Sequence, residues 1–138
     1  MEKIKVIIAD DNKIVSDIIR KNLEQYEVVE VLGNCYSVEE EISMIDNLKP
    51  EIVIADLMQN SKPSNLEVIK KYKELGNIPK FLIISAEWNR EINTGIMDGL
   101  IKKPFMNYDV VVNELKNIKW QIEYEKHLAK GNNQWWQW

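Results

Sequence analysis

A chain of 138 residues, 45% hydrophobic and 29% charged, matches one ordinary globular domain with room for a two-sided core. The formal net charge of −4 leaves no basic face to neutralise phosphate backbones, so no direct nucleic-acid partner is expected. Cys35 is the single cysteine, which excludes an internal disulfide. No apolar run is long enough to span a bilayer or is laid out as a signal peptide, so no membrane partner and a cytoplasmic location are expected.

Apolar runs alternate with helix-period segments along the chain, the pattern of βαβ units around a parallel sheet. The first strand is expected at about 3–10, followed by a helix at about 12–25 with Ile14, Ile18, Ile19 and Leu23 on its inner face. Glu27–Leu32 reads as the second strand. Ser37 and Glu40 have capping-box spacing and open a second helix with Ile42, Ile45 and Leu48 inward, stopped before Pro50. A third strand is expected over Glu51–Leu57, then a polar loop Gln59–Asn65 containing Pro63. A third helix carries Leu66, Ile69 and Tyr72, with Gly76 at its C-terminal cap. The fourth strand is Pro79–Ser85. Residues 87–98, with Asn89, Asn93 and Gly95, leave room for only a short helix before a fifth strand at about 99–102. A long helix from about 107 to 128 closes the pattern. Tyr108, Val111, Leu115 and Ile118 face the sheet, Ile122 continues that stripe, and Trp120, Tyr124 and Leu128 form a second one.

Polar groups stand at the ends of these strands: Asp10 and Asp11, Asp56, Ser85 and Lys103. Parallel strands bring such groups together at the carboxyl edge, where open α/β sheets bind ligands. Two unit charges about 4 Å apart repel by roughly 4 kcal/mol at an effective dielectric near 20, so three carboxylates facing one lysine call for a cation or a proton. All-oxygen donors without nearby histidine or thiolate favour Mg²⁺, and a phosphoryl group is then the natural anionic guest. Asp56 is the candidate nucleophile, Lys103 neutralises charge on the transferring group, and the Ser85 hydroxyl bonds a phosphoryl oxygen. Lys103 precedes Pro104, where a cis peptide is available. Read alone, Asp10 and Asp11 have the ordinary role of capping the first helix. Cys35 reads as a semi-buried small residue.

The ordered set Asp10-Asp11, Asp56, Ser85-Ala86 and Lys103-Pro104-Phe105 resembles the receiver domain of bacterial two-component response regulators over residues 3–118. The resemblance implies a doubly wound, flavodoxin-like sheet of order 2-1-3-4-5. It assigns the phosphoacceptor to Asp56, the metal-binding acids to Asp10 and Asp11, a backbone-carbonyl metal ligand to Met58, the switch hydroxyl to Ser85 and the family lysine to Lys103. The implied cofactor is Mg²⁺, and the implied donor is a sensor histidine kinase or a phosphotransfer protein. Output is expected through protein contacts. Slow self-catalysed loss of phosphate is expected, with Glu87 and Met58 flanking the attacking water, and Trp88 lies near the site.

The chain departs from the family pattern at four points. Pro63 comes late in the loop, and Asn65 takes a position usually held by glycine, where its tolerance of left-handed geometry is expected to serve. Leu100 replaces the switch aromatic. The segment between Ser85 and Lys103 is shorter by about one helical turn, or ~4 residues. The last helix is overlong and leads to Trp135, Trp136 and Trp138. Residues 1–120 are therefore read as the receiver domain and 121–138 as a helix extension with a Trp-rich tail. That extension is expected to contact a partner or a second copy, giving a homodimer through the last helix. The runner-up reading is a phosphate-independent pseudo-receiver acting as an interaction module. A haloacid-dehalogenase-type hydrolase would want an Asp at position 58, where the chain has Met58.

Overall fold

Apolar strand residues alternate between two faces, and each face is covered by a pair of helices. The structure, a computed structural model, describes residues 2–57, 64–76, 78–86, 96–105 and 107–131. The strands β1 (Ile4–Ala9), β2 (Val29–Cys35), β3 (Ile52–Ala55), β4 (Lys80–Ser85) and β5 (Gly99–Lys102) pair in parallel in the order β2-β1-β3-β4-β5. Among the described residues the helices are α1 (Lys13–Leu23), α2 (Val38–Leu48), α3 (Ser64–Leu75) and α4 (Tyr108–Ala129). Ile4, Val6, Ile8, Ile52, Ile54, Leu82 and Ile84 meet α1 and α4, while Ile7, Ala9, Val53, Ala55, Phe81 and Ile83 meet α2 and α3. Burying each Ile, Val, Leu or Phe side chain among these contributes roughly 1.5–3 kcal/mol. This is the doubly wound parallel sheet, with the strand order and long last helix, that the sequence led one to expect.

The faces of the first two helices differ from expectation. Ile14 and Ile18 are 74% and 50% exposed, and the buried residues of α1 are Ser16, Ile19 and Leu23. Ile19 and Leu23 thus lie inward as expected, while Ile14 and Ile18 do not. Ser16 joins the buried face and bonds the sheet: its Oγ accepts from Asn34 Nδ2 at 2.5 Å. In α2, Leu48 is 46% exposed, Ile42 is half-buried, and Glu41 lies inward beside Ile45. The Ser37 cap is present, its Oγ accepting from Glu40 N at 3.2 Å.

The second strand runs later than Glu27–Leu32, because Gly33 and Asn34 read as turn formers yet pair with Ile7 and Ile8. Gly33 has a packing reason: a Cβ there would sit 3.0 Å from the Met44 sulfur. Cys35, at its end, is fully buried rather than semi-buried, and burial pushes its thiol up to about 12. In α3, Ile69 and Tyr72 are buried as expected, and Gly76 adopts φ 132 at the helix end.

The last helix buries Val111, Leu115, Ile118 and Ile122, while Tyr108 is only half-buried. Trp120 stacks on Tyr124 with centroids 5.6 Å apart and stays 48% exposed, as does Leu128. Two buried lysines fasten this helix to the amino edge of the sheet. Lys80, at the start of β4, reaches Glu125 at 3.1 Å and Asp98 at 3.9 Å. Lys119 bonds Glu51, and also Glu123 at 3.1 Å. Burial alone would lower the Lys119 pKa, but its bonds to Glu51 and Glu123 outweigh that and raise it.

Candidate functional site

The register of strand pairing decides what gathers at the opposite, carboxyl edge. Ala9 pairs with Ala55, Ala55 with Ile83, and Ser85 with Lys102, so the next residues of neighbouring strands emerge side by side. Asp56 leaves β3 with its N–H donated to Ala9 O at 3.1 Å, and Leu57 behind it is fully buried. Its Oδ1 accepts from Ser85 Oγ at 3.2 Å and its Oδ2 from Lys103 Nζ at 3.2 Å. The same ammonium stands 3.8 Å from Asp10 Oδ2. The Lys103-Pro104 peptide is cis, and so is Ile78-Pro79, for which the sequence reading had no expectation.

Asp10 is buried, and its Oδ1 accepts from Asn12 N at 2.9 Å. Burial pushes its carboxyl above the usual range. The Asn12 N–H and Lys103 oppose that rise, and the charges on Asp56 and Asp11 add to it. Asp11 itself is exposed. Capping of α1 does not consume either acid: Asn12 is the cap, its Oδ1 accepting from Ile14 N and Val15 N at 3.1 Å. The structure thus gathers Asp10, Asp56, Ser85 and Lys103, with Asp11 close enough to act on Asp10 through its charge. Among the described residues no three His, Cys, Asp or Glu groups form a ready-made metal cage. Mg²⁺ does not require one, since it binds through one or two carboxylates, waters and substrate oxygens. The oxygen-only donors and the surplus of negative charge around Asp10 fit such an ion. Met58, Glu87, Trp88, the segment 87–95 and the tail tryptophans lie outside the described residues.

The sequence leads one to expect Asn65 as a stand-in for glycine. It does not adopt positive φ but lies in the first turn of α3, fully buried, with Nδ2 donating to Asp56 O at 2.5 Å. A buried amide nine residues after the acceptor carries no periodic signature, so only its proximity to Asp56 hinted at the contact. Leu100 is half-buried in the layer shared with Ile96 and Met97. On the other face, Val15, Ile18, Ile19, Pro104, Phe105 and Tyr108 line an open apolar groove of about 400 Å³ beside Lys103.

The chain is 28% identical over 135 residues to the sensory transduction protein LytT of Bacillus cereus, covering 94% of this chain and 54% of that protein. It therefore spans about half the length of the curated relatives it matches. The isolated REC domain of RcsB from Salmonella enterica serovar Typhimurium, solved in the presence of phosphomimetic BeF3-, superposes with TM-score 0.68 at 26% identity. That match covers 91% of this chain and 90% of that one. The signal receiver domain of the putative response regulator NarL from Mycobacterium tuberculosis shares the fold, with TM-score 0.70 at 19% identity over 86% of this chain and 98% of the other. No protein-family model matches the chain. In strand order, helix arrangement and sequence the chain is thus similar to the receiver domains of two-component response regulators.

Proposed function

We propose that Asp56 accepts a phosphoryl group from a phosphohistidine on a sensor histidine kinase or phosphotransfer protein, in a Mg²⁺-dependent reaction. The observation that carries this reading is one carboxylate held by an ammonium and a hydroxyl on different oxygens, each at 3.2 Å, at the open edge of a parallel sheet. A carboxylate oxygen of Asp56 attacks phosphorus and forms the P–O bond. The donor P–N bond breaks, and its electron pair stays on the imidazole, which takes up a proton. Lys103 balances charge on the phosphoryl oxygens, and Ser85 donates its hydroxyl to one of them. Asp10, Asp11, Asp56 and the Met58 carbonyl would hold Mg²⁺, which supplies positive charge to the transferring group. The protein is read as a cytoplasmic switch whose output passes through protein contacts.

Acetyl phosphate with Mg²⁺ should produce an acyl-phosphate species in the parent, seen as a mobility shift on phosphate-affinity gels, and none in Asp56→Asn. A parent that never labels, or an Asp56→Asn that labels normally, would sink the reading in favour of a phosphate-independent interaction module. Asp10→Asn should raise the metal-free thermal midpoint, because it removes a buried charge. Its folded pKa is raised, so the ionised carboxyl is a liability above that pKa that fades as pH falls through it. Asparagine keeps an acceptor for Asn12 N–H while removing the charge. The same variant should lose the upward shift that Mg²⁺ gives the parent. A Mg²⁺ shift of parental size in Asp10→Asn would remove Asp10 from the metal site.

A further inference from the structure

Asp56 is held at four atoms, by four different parts of the fold. Ser85 and Lys103 hold its carboxylate oxygens, the atoms that the reaction proposed above uses up. Among the described residues two further bonds are to its backbone: the N–H to Ala9 O at 3.1 Å, and the carbonyl oxygen from Asn65 Nδ2 at 2.5 Å. The first continues the sheet ladder. The second is a side-chain bond that ties the peptide leaving β3 to the first turn of α3, across the loop between them.

The Asn65 amide is not explained by packing. It is fully buried, and its Oδ1 has no hydrogen-bond partner. A buried acceptor left unmade is unfavourable, and an apolar side chain would avoid it. Backbone conformation does not require asparagine either, because φ at Asn65 is not in the left-handed region. The one bond this side chain makes goes to the residue whose orientation the chemistry depends on.

We infer that Asn65 is a positioning residue for phosphoryl transfer: its amide fixes the peptide plane of Asp56 and so aims the carboxylate while Ser85 and Lys103 change partners. This inference rests on Asp56 being the phosphoacceptor. Misplacing a reacting group by about 1 Å costs up to about 100-fold in rate, so loss of this one bond is set at about tenfold.

The test compares the full chain with Asn65→Ala and Asn65→Gly, labelled by acetyl phosphate at saturating Mg²⁺. The expected result is a maximal labelling rate lowered about tenfold in both variants, with the half-saturating acetyl phosphate concentration changed less than twofold. Thermal midpoints should stay near that of the parent, because the unpartnered Oδ1 leaves with the bond. Asn65→Gly matters because it restores the residue of the receiver pattern without the amide. Parental rates in folded Asn65→Ala and Asn65→Gly would overturn the inference and leave the phosphoacceptor reading standing, as would a lowered midpoint with an unchanged rate. A parent that does not label overturns both.

Discussion

Asp98→Ala should destabilise the domain by roughly 3–5 kcal/mol, the range for removing one partner of a buried charge pair. The Asp98 side chain is 8% exposed and accepts from Lys73 Nζ at 2.8 and 2.9 Å. It also accepts from Phe81 N at 2.8 Å, while its own N–H donates to Phe81 O at 3.0 Å. This residue therefore fixes how the segment entering β5 lies on β4, and it faces the buried Lys80 ammonium 3.9 Å away. Its removal leaves an unmet strand N–H and a buried cation with Glu125 as its remaining partner among the described residues. Asp98→Asn, which keeps the acceptor for Phe81 N–H but not the charge, should lose about half as much. Urea unfolding of the two variants checks this, and equal losses would show that the charge contributes nothing.

Glu41→Met should stabilise the domain, and the gain should depend on pH. Glu41 is fully buried on α2, and neither carboxylate oxygen has a hydrogen-bond partner. Burial pushes its pKa from 4.5 up to about 8. The groups around it give no relief: its charge raises the pKa values of the Cys35 thiol on β2 and the Tyr72 hydroxyl on α3. Because the folded pKa is the higher one, the folded state keeps a proton that the unfolded chain releases. Stability is then full below about pH 4.5 and falls as pH rises towards about 8. At about 1.4 kcal/mol per unit, the loss at pH 7 is roughly 3 kcal/mol. Methionine fills similar volume with no charge, so the unfolding free energy of the variant should decline less than that of the parent across this window, by the Glu41 contribution. Matching pH profiles for parent and variant would refute the buried-acid account.

The strands were legible because β1, β3 and β4 are continuous Ile/Val-rich runs, buried on both faces, and such runs have few alternative placements. Sheet order came from the motif resemblance, since periodicity alone does not rank strands. What the sequence hid was that Ile14, Ile18 and Leu48 stay exposed while Ser16 and Glu41 are buried beside the expected Ile19, Leu23 and Ile45. Ile14–Ile18 and Ile19–Leu23 satisfy the same period, and a glutamate at position 41 argued against the face that is buried. The end of β2 was hidden by Gly33 and Asn34, which local propensity assigns to turns and tertiary pairing overrides. At the site, strand-end spacing located Asp10, Asp56, Ser85 and Lys103, because a parallel sheet turns sequence position directly into spatial position. The Asn65 bond follows no such rule, being a contact between a loop carbonyl and a helix side chain.

The fastening of α4 at the amino edge has a bearing on ionic strength. Mobile ions screen charges that water can reach, with a Debye length of about 10 Å at 0.1 M and about 3 Å at 1 M, and act far less on buried pairs. The pairs Arg20–Glu24 and Lys70–Glu67 lie on the surface and fade as salt is added. Lys80 is 1% exposed and Lys119 is 7% exposed, so the bonds that pin the last helix are screened less than the surface pairs, that of Lys119 to Glu51 least of all and that of Lys80 to the more open Glu125 most. The seat of α4 on the sheet is in this sense halotolerant, while the charges displayed by α1 and α3 follow the medium.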